Sequence, residues 1–347
     1  MLHKRIRKPS NQCGLSLVEL MVAITVGLIL TAGLIQLFVA NKQAYRLQEG
    51  ILDMQENARY SLQTLSYDLK MAGHWGGVEA DAISFTASTS DCKGSLIGSS
   101  LFGISGIEGS STAPTPTGCI DDADYVANSD VLIVRYAAGD NRVAAADLSN
   151  TDNSGDLFVG SLAGFSAILD TGSGLATEES SGGKFHDGAK LMDGVYNYPY
   201  YMAAYFIRPC SVKAGSTCAA TDDNGEPLPT LTRYILRGNA LTQEPIAEGV
   251  EQMQIEYGIG LSGDVDEYKD ADEMTATDWN NVSAVRIALV TRAGKKDFSY
   301  TDPHDSSNAY DLPGNDAEDD YYVYGDDAHY RRKVVTQVIQ IRNSGRS

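Results

Sequence analysis

The chain has 347 residues, with 46 acidic against 27 basic side chains and a formal net charge of -19. A body this acidic repels phosphate backbones and anionic lipid head groups, which excludes nucleic-acid binding through a broad basic surface. Once the N-terminal segment and stem are set aside, about 270 residues remain, enough for one large or two small domains, and the reading adopted is one elaborated domain.

The chain opens with Lys4, Arg5, Arg7 and Lys8 and no acidic residue, followed by Gly14 and then by a run from Leu15 to Ala40 whose only charged side chain is Glu19. That run exceeds the ~20 apolar residues needed to cross a hydrocarbon core of roughly 30 Å. The basic leader predicts that the first residues stay in the cytoplasm and that the C-terminus crosses the membrane. A secretory signal has an apolar region of only about 7 to 15 residues and a small-x-small cleavage site, whereas this run is longer and ends in Ala40-Asn41-Lys42-Gln43-Ala44. A plain anchor or a buried core helix explains neither the glycine between leader and apolar run nor the carboxylate five residues beyond it.

Basic leader, Gly14, intact apolar run and Glu19 together resemble the N-termini of type IV prepilins. The resemblance implies cleavage after Gly14 by a prepilin peptidase, N-methylation of the new N-terminal Leu15, and retention of the apolar segment on the mature chain. Leu15 stands where the family more often has phenylalanine, and is apolar all the same. Glu19 is then the expected assembly residue. A carboxylate inside a membrane span needs a partner, either the new α-amino group one turn away or the amine of an adjacent subunit.

Beyond the membrane segment, Ala44, Leu47, Ile51, Met54, Ala58, Leu62, Leu65 and Leu69 recur at spacings of three and four and form one helical stripe. Lys42, Arg46, Glu49, Asp53, Glu56, Arg59 and Asp68 are read as lying on other faces. Gly73 is the expected C-cap, before His74-Trp75-Gly76-Gly77 breaks the pattern. A helix from Ser16 to Ala72 would be roughly 85 Å long. Gly27, Gly33 and Gly50 mark places where it is expected to bend or unwind. The stripe fits a coiled-coil seam, but its outer half is expected to pack on the chain's own head. The resulting division is a leader at 1–14, a transmembrane helix half at 15–40, an amphipathic half at 41–72 and an extracytoplasmic head at 78–347.

The head reads as short strands separated by Gly-, Ser-, Asp- and Asn-rich loops: Ala82 to Thr86, Asp130 to Tyr136, Tyr200 to Ile207, Leu231 to Leu236, Val250 to Tyr257, Val282 to Thr291 and Val334 to Ile341. Strands without intervening helices predict an antiparallel sheet, so the fold class is α+β, a long helical spine followed by a β-rich head. Gly103 to Gly118 and Asp170 to Gly183 read as polar loops. With Cys13 in the leader, Cys92, Cys119, Cys210 and Cys218 remain. An even number in an oxidising compartment favours two bridges over four free thiols, and Cys92 to Cys119 with Cys210 to Cys218 is the local pairing among three possible ones.

Four blocks carry a narrower resemblance: Gln55 to Tyr60 in the stem, Glu248 to Gly258, Asp278-Trp279 leading into Val285 to Val290, and Arg331 to Asn343. They resemble the PilW family of minor pilins, whereas Ser88 to Tyr196 matches no family pattern. The resemblance implies a low-abundance subunit that primes pilus assembly with other minor pilins and the major pilin at an inner-membrane platform. It further implies a place at or near the tip, a possible tip adhesin as partner, and a part in adhesion and twitching motility. A minor pseudopilin of a type II secretion system shares leader, spine and head. From another class, a singly anchored periplasmic binding or enzymatic domain would keep Met1 to Gly14, which a pilin loses.

Enzymatic signals are weak. His3, His74, His186, His304 and His329 have no ligand or triad spacing, and neither GxSxG nor HExxH occurs. Gly258-Ile259-Gly260-Leu261-Ser262-Gly263 matches GxGxxG, but acidic residues follow it where a dinucleotide fold needs an apolar helix. No cofactor is expected. The acidic stretch Asp264, Asp266, Glu267 and Asp270, extended by Asp272 and Glu273, is the best candidate for calcium, but it lacks the EF-hand pattern and a solvated acidic loop is the favoured reading. Tyr196, Tyr198, Tyr200 and Tyr201, and Tyr321, Tyr322 and Tyr324, fit either a subunit interface or sheet packing.

Overall fold

The computed structural model describes residues 16–85, 92–97, 102–114, 119–180, 183–187, 190–260, 264–304, 309–313, 321–322 and 327–343. Gly14, Leu15, Cys13 and Tyr324 lie outside these. The chain divides into two compact units, Met1–Ile51 and Leu52–Ser347.

A single helix, α1 (Leu17–Met71), supplies the described part of the first unit and the start of the second. No described residue of the first unit is buried, and its apolar side chains stand in the open, with Leu17 73%, Ile29 71% and Phe38 69% exposed. This half is long and apolar enough to cross a membrane. Its hydroxyls are satisfied internally: Thr25 Oγ1 donates to the Val22 carbonyl at 2.9 Å and Thr31 Oγ1 to the Gly27 carbonyl at 2.7 Å. These two hydroxyls therefore present no unpaired donor to hydrocarbon. The helix runs unbroken through Gly27, Gly33 and Gly50, so none of the three unwinds a turn. A glycine costs up to about 1 kcal/mol in a helix interior, less than unwinding a turn with no water to take up its hydrogen bonds.

In the second unit the predicted stripe turns inward. Met54, Ala58, Leu62, Leu65 and Leu69 are buried, joined by Ser61, Ser66 and Asp68. The helix ends where Gly73 adopts φ +71 and donates its N–H to the Arg135 carbonyl. Asn343 Nδ2 lies 3.1 to 3.4 Å from the carbonyls of Lys70, Met71 and Ala72 at the helix end, where the Met71 carbonyl also accepts the His74 N–H at 3.1 Å.

The head follows in chain order as β1 (Ile83–Phe85), α2 (Cys92–Ile97), β2 (Ile104–Ile107), β3 (Val131–Ala137), β4 (Leu157–Leu162), β5 (Ser166–Thr171), α3 (Gly172–Ser180), β6 (His186–Asp187), β7 (Lys190–Leu191), β8 (Val195–Arg208), β9 (Thr230–Arg237), β10 (Ala240–Glu248), β11 (Val250–Ile259), β12 (Glu267–Lys269), α4 (Ala276–Asn280), β13 (Val282–Arg292), β14 (Tyr310–Asp311), β15 (Tyr321–Tyr322) and β16 (Arg332–Gln340). One sheet runs β1-β5-β4-β8-β3-β2, with β9 also on β8 and β10 on β9. A second runs β12-β11-β13-β16. All pairings are antiparallel except β1 with β5, which is parallel because the chain crosses over through α2 and β2 to β4 before returning beside β1.

The long strand β8 shows how the core is divided. Ala203, Tyr205 and Ile207 face a cluster containing Leu62, Leu65 and Leu69 of α1 together with Val285, Ile287 and Leu289 of β13. Met202, Ala204 and Phe206 face a second cluster with Trp75, Leu96, Ile133 and Leu169. This period-2 alternation makes both faces of β8 apolar, which is why it reads as a run of mixed hydrophobics rather than a polar-apolar strand.

Two segments expected to be loops are ordered elements. Within Gly103 to Gly118, Ile104–Ile107 is β2, paired with Val131–Val134, and a Cβ on Gly106 would stand 1.9 Å from the Tyr257 hydroxyl oxygen. The glycine that makes this stretch look like a loop is the residue that lets a tyrosine through. Within Asp170 to Gly183, β5 ends at Thr171 and α3 begins, its Gly174 N–H held by Thr171 Oγ1 at 3.1 Å and its Leu175 buried among Leu148, Phe158, Ile168 and Phe185. A single apolar anchor in a polar nine-residue helix leaves no period to read.

Candidate functional site

Glu19 sits in the first turn of α1, where its Oε2 accepts the Ser16 N–H at 3.2 Å. The carboxylate thus lies at the positive end of the helix dipole, beside orphan amide groups it can satisfy. It is the one charged side chain from Leu17 to Ala40.

The second unit contains a charged residue of α1 that the stripe reading misplaced. Asp68 is buried at 3% exposure, not on an outer face. Its carboxylate accepts from Tyr201 Oη at 2.8 Å, Tyr205 Oη at 2.5 Å and Tyr136 Oη at 3.2 Å, and Arg233 stands 4.0 Å away. Arg233 also donates to the Tyr201 hydroxyl at 3.1 Å and forms a forked pair with Glu244. Burial, followed by the nearby Asp68 charge, pushes the Tyr136, Tyr201 and Tyr205 hydroxyls above the ordinary phenol range, so all three remain donors. A carboxylate taking three hydroxyl bonds inside a hydrophobic core locks one rotation and one axial position of α1 against β3, β8 and β9. The available signal was the tyrosine cluster itself: of Tyr196, Tyr198, Tyr200 and Tyr201, only Tyr196 is exposed, with Arg142 over its ring, while Tyr200 stacks on Trp75 and Tyr201 on Tyr136.

The second sheet is tied down by ionic residues in the same manner. Arg332 on β16 and Arg292 on β13 both reach Glu251 on β11, and Arg332 also pairs with Asp302, which accepts from Tyr310 Oη at 2.7 Å. Asp130, preceding β3, accepts the Gly109 N–H at 2.9 Å and the Ile255 N–H at 2.7 Å and so bridges the two sheets. The Asp130 carboxyl is pushed well up by burial and by Glu108. Glu108 is raised to about 7 by burial first and then by Asp270.

Cys92 and Cys119 are joined, with Cα atoms 5.1 Å apart, as are Cys210 and Cys218 at 5.7 Å. The smaller loop is wired by acids: Asp223 accepts the N–H groups of Ser211, Val212 and Leu228, Asp222 those of Ala214 and Ala219, and Asp124 that of Cys218. Cys210, Cys218 and Asp222 are mutually close, but the thiols are consumed in the bridge.

The calcium candidates do not converge. Asp266 closes the β11–β12 hairpin through its N–H to the Ile259 carbonyl, Glu267 pairs with Lys269 at 3.2 Å, Asp270 is buried, and Asp264 is exposed. Among the described residues, no three of these carboxylates come within 4.8 Å of one another. Gly258 and Gly260 belong to that same hairpin, where strand β12, not a phosphate-cradling helix, follows.

A family model for the prokaryotic N-terminal methylation motif matches residues 9–35, and one described as Type IV Pilus-assembly protein W matches residues 212–343. No curated protein sequence is significantly similar to this chain. Among solved structures it is similar to the type IV-like pilin TTHA1219 from Thermus thermophilus, with a TM-score of 0.34 and 10% identity over 84% of this chain and 97% of that one. The processing motif on a membrane-length helix that continues into a β-rich head defines a type IV pilin-like protein, anchored by that helix and built for incorporation into a pilus. Over residues 212–343, which take in β9 to β16, the chain is PilW-like as well, and both family matches are to structural pilus proteins, not enzymes.

Proposed function

We propose that this minor pilin primes pilus assembly together with other minor pilins and then remains at or near the tip, supporting pilus-dependent adhesion and motility. Before assembly it is a single-pass protein of the inner membrane with its head in the periplasm. Prepilin peptidase cuts between Gly14 and Leu15 and the new amine is methylated. The observation that carries the reading is Glu19, alone among charges in a wholly exposed apolar helix half and placed in the first turn beside the future N-terminus. In a low-dielectric bundle that carboxylate and the Leu15 amine of an adjacent subunit neutralise each other. The four carboxylates of the acidic loop remain a calcium candidate only if binding gathers them.

Intact-mass measurement of the membrane-extracted protein tests the processing step: the expected mass begins at a methylated Leu15, and Gly14→Val is expected to leave Met1 in place by obstructing close backbone approach in the protease cleft. A wild-type chain that retains residues 1–14 ends the reading. Quantifying the subunit in sheared pili tests position, since a tip subunit scales with the number of pili and a shaft subunit with their total length.

A further inference from the structure

The groove between the outer part of α1 and β16, about 620 Å³ in volume, lies wholly within the second unit. Its floor is Ala58, Leu62 and Val335, and its rim carries Arg59, Lys70 and Lys333. All three cations are exposed, and among the described residues none has an ion-pair partner. No acidic side chain lines the groove, in a chain with 46 acids to 27 bases. A positive groove with an apolar floor on so acidic a molecule is a local reversal of charge, which selects a partner of opposite sign.

The geometry also sets spacing. Arg59 and Lys70 are eleven positions apart on α1, roughly 16 Å along the axis at 1.5 Å per residue. Lys333 belongs to the Arg59 end: its neighbour Arg332 pairs with Arg292, whose carbonyl, with Asn57, adjoins Gly249, while the other end of β16 leads to Asn343 at the α1 terminus. Two cations therefore stand at one end of the groove and a third at the other. An extended chain advances about 3.3 Å per residue, so carboxylates about five residues apart span the groove.

We propose that this groove docks an extended, carboxylate-bearing segment of a neighbouring pilin-type subunit, which for a subunit of low abundance in the filament is not a second copy of this chain. The inference rests on the pilin reading and specifies its partner. Acidic side chains meet Arg59 and Lys333 at one end and Lys70 at the other, while an apolar side chain between them covers Ala58, Leu62 and Val335.

The test is site-specific photocrosslinking of the full chain in piliated cells, with a benzophenone side chain replacing Gln63 or, in a separate strain, Val26 in the membrane half. Adducts are identified by peptide mass spectrometry. The expected groove adduct is an Asp- or Glu-containing peptide of another prepilin-derived subunit, and its yield falls at least about fivefold in Arg59→Glu/Lys70→Glu/Lys333→Glu but is unchanged in the surface control Lys295→Glu. Lys333→Glu alone is read if the triple variant loses its disulfides or protease resistance. An adduct to a second copy of this chain, to lipid or to nucleic acid overturns the proposal, as does a yield indifferent to charge reversal. Adducts from Val26 with none from Gln63 overturn the groove alone, whereas adducts at neither position overturn the pilin reading.

Discussion

The two parts of α1 have been selected for different surroundings although they form one continuous helix. From Leu17 to Ala40 no side chain is buried, and apolar residues occupy every face. From Met54 to Leu69 the apolar residues keep to one stripe, and the charged Asp68 is buried among them. An element that is hydrophobic all round needs lipid or other helices, whereas a striped one needs a single covered face. The contrast extends to electrostatics: each part carries one carboxylate that matters, but Asp68 has all its partners in the same chain, while Glu19 holds only an amide hydrogen of its own first turn.

Removing Glu19 is the sharpest way to break this contrast. Glu19→Ala is expected to be cleaved, inserted and folded normally but to co-assemble on the order of tenfold less, because a carboxylate worth about 2.5 to 3.5 kcal/mol of burial cost at mid-membrane is retained for a partner. Crosslinking to neighbouring subunits and counts of surface pili measure this, and wild-type co-assembly removes Glu19 from the interface.

The reciprocal change is Asp68→Leu. It strands three tyrosine hydroxyls in the core, while Arg233 keeps Glu244, and breaking such a buried network costs about 3 to 5 kcal/mol. Denaturant unfolding of the detergent-solubilised chain should show that loss, with Asp68→Asn intermediate and cleavage after Gly14 unaffected in both. A loss below about 1 kcal/mol would mean the tyrosines find water or other acceptors.

The extent to which these features were legible in the sequence follows the same division. A membrane-length apolar run, its flanking charges and the i, i+3, i+4 stripe are local patterns, so α1 could be placed within one residue at each end. The long strands β3, β8, β9, β11, β13 and β16 are dense enough in β-branched and aromatic residues to be seen. Much of what could not be read depends on partners far away in sequence, although the local hairpins β4–β5 and β9–β10 also went without three of their strands. Asp68 reads as a surface charge because it is a charged residue outside the apolar stripe, and only Tyr136, Tyr201, Tyr205 and Arg233 make it an interior residue. Gly106 reads as a loop residue because its reason is Tyr257, and β2 as a strand exists through β3. The acidic stretch from Asp264 to Asp270 reads as one cluster, yet a hairpin sends Glu267 to a lysine and buries Asp270 instead.

The disulfides give a smaller contrast, this time within the head. Loop-closure entropy assigns about 3.5 kcal/mol to the bridge spanning 27 residues and about 2.5 kcal/mol to the one spanning 8. Cys92→Ser/Cys119→Ser is therefore expected to destabilise the head by about 1 kcal/mol more than Cys210→Ser/Cys218→Ser. The short loop also keeps its hydrogen bonds to Asp222 and Asp223 when reduced. Unfolding curves of the two double variants decide this, and a larger loss from the short bridge would mean that the acid-wired loop forms only after Cys210 and Cys218 are joined.

The smallest expected effect is a pH slope. Glu108 and Asp130 face each other between the sheets, with Asp270 and Asp272 contributing negative charge and Tyr125 and Tyr257 the neighbouring phenols. The Glu108 carboxyl, ordinarily at 4.5, is raised to about 7 by burial and then by Asp270, and Asp130 moves in the same direction. Between these values the folded chain holds a proton that the unfolded chain has released. Stability is therefore fully present below about 4.5, falls as pH rises towards about 7, and is level above it. Because Glu108 is partly open to solvent, its share is about 1 to 2 kcal/mol, not the full value of the shift. Glu108→Gln keeps the shape, cannot release a proton, and is expected to flatten that part of the slope while raising stability at pH 7.5 relative to the wild type. Urea unfolding at pH 5 and pH 7.5 measures both quantities, and a slope that survives unchanged would assign the titration to Asp130 or Glu256, whose carboxyls are also raised by burial.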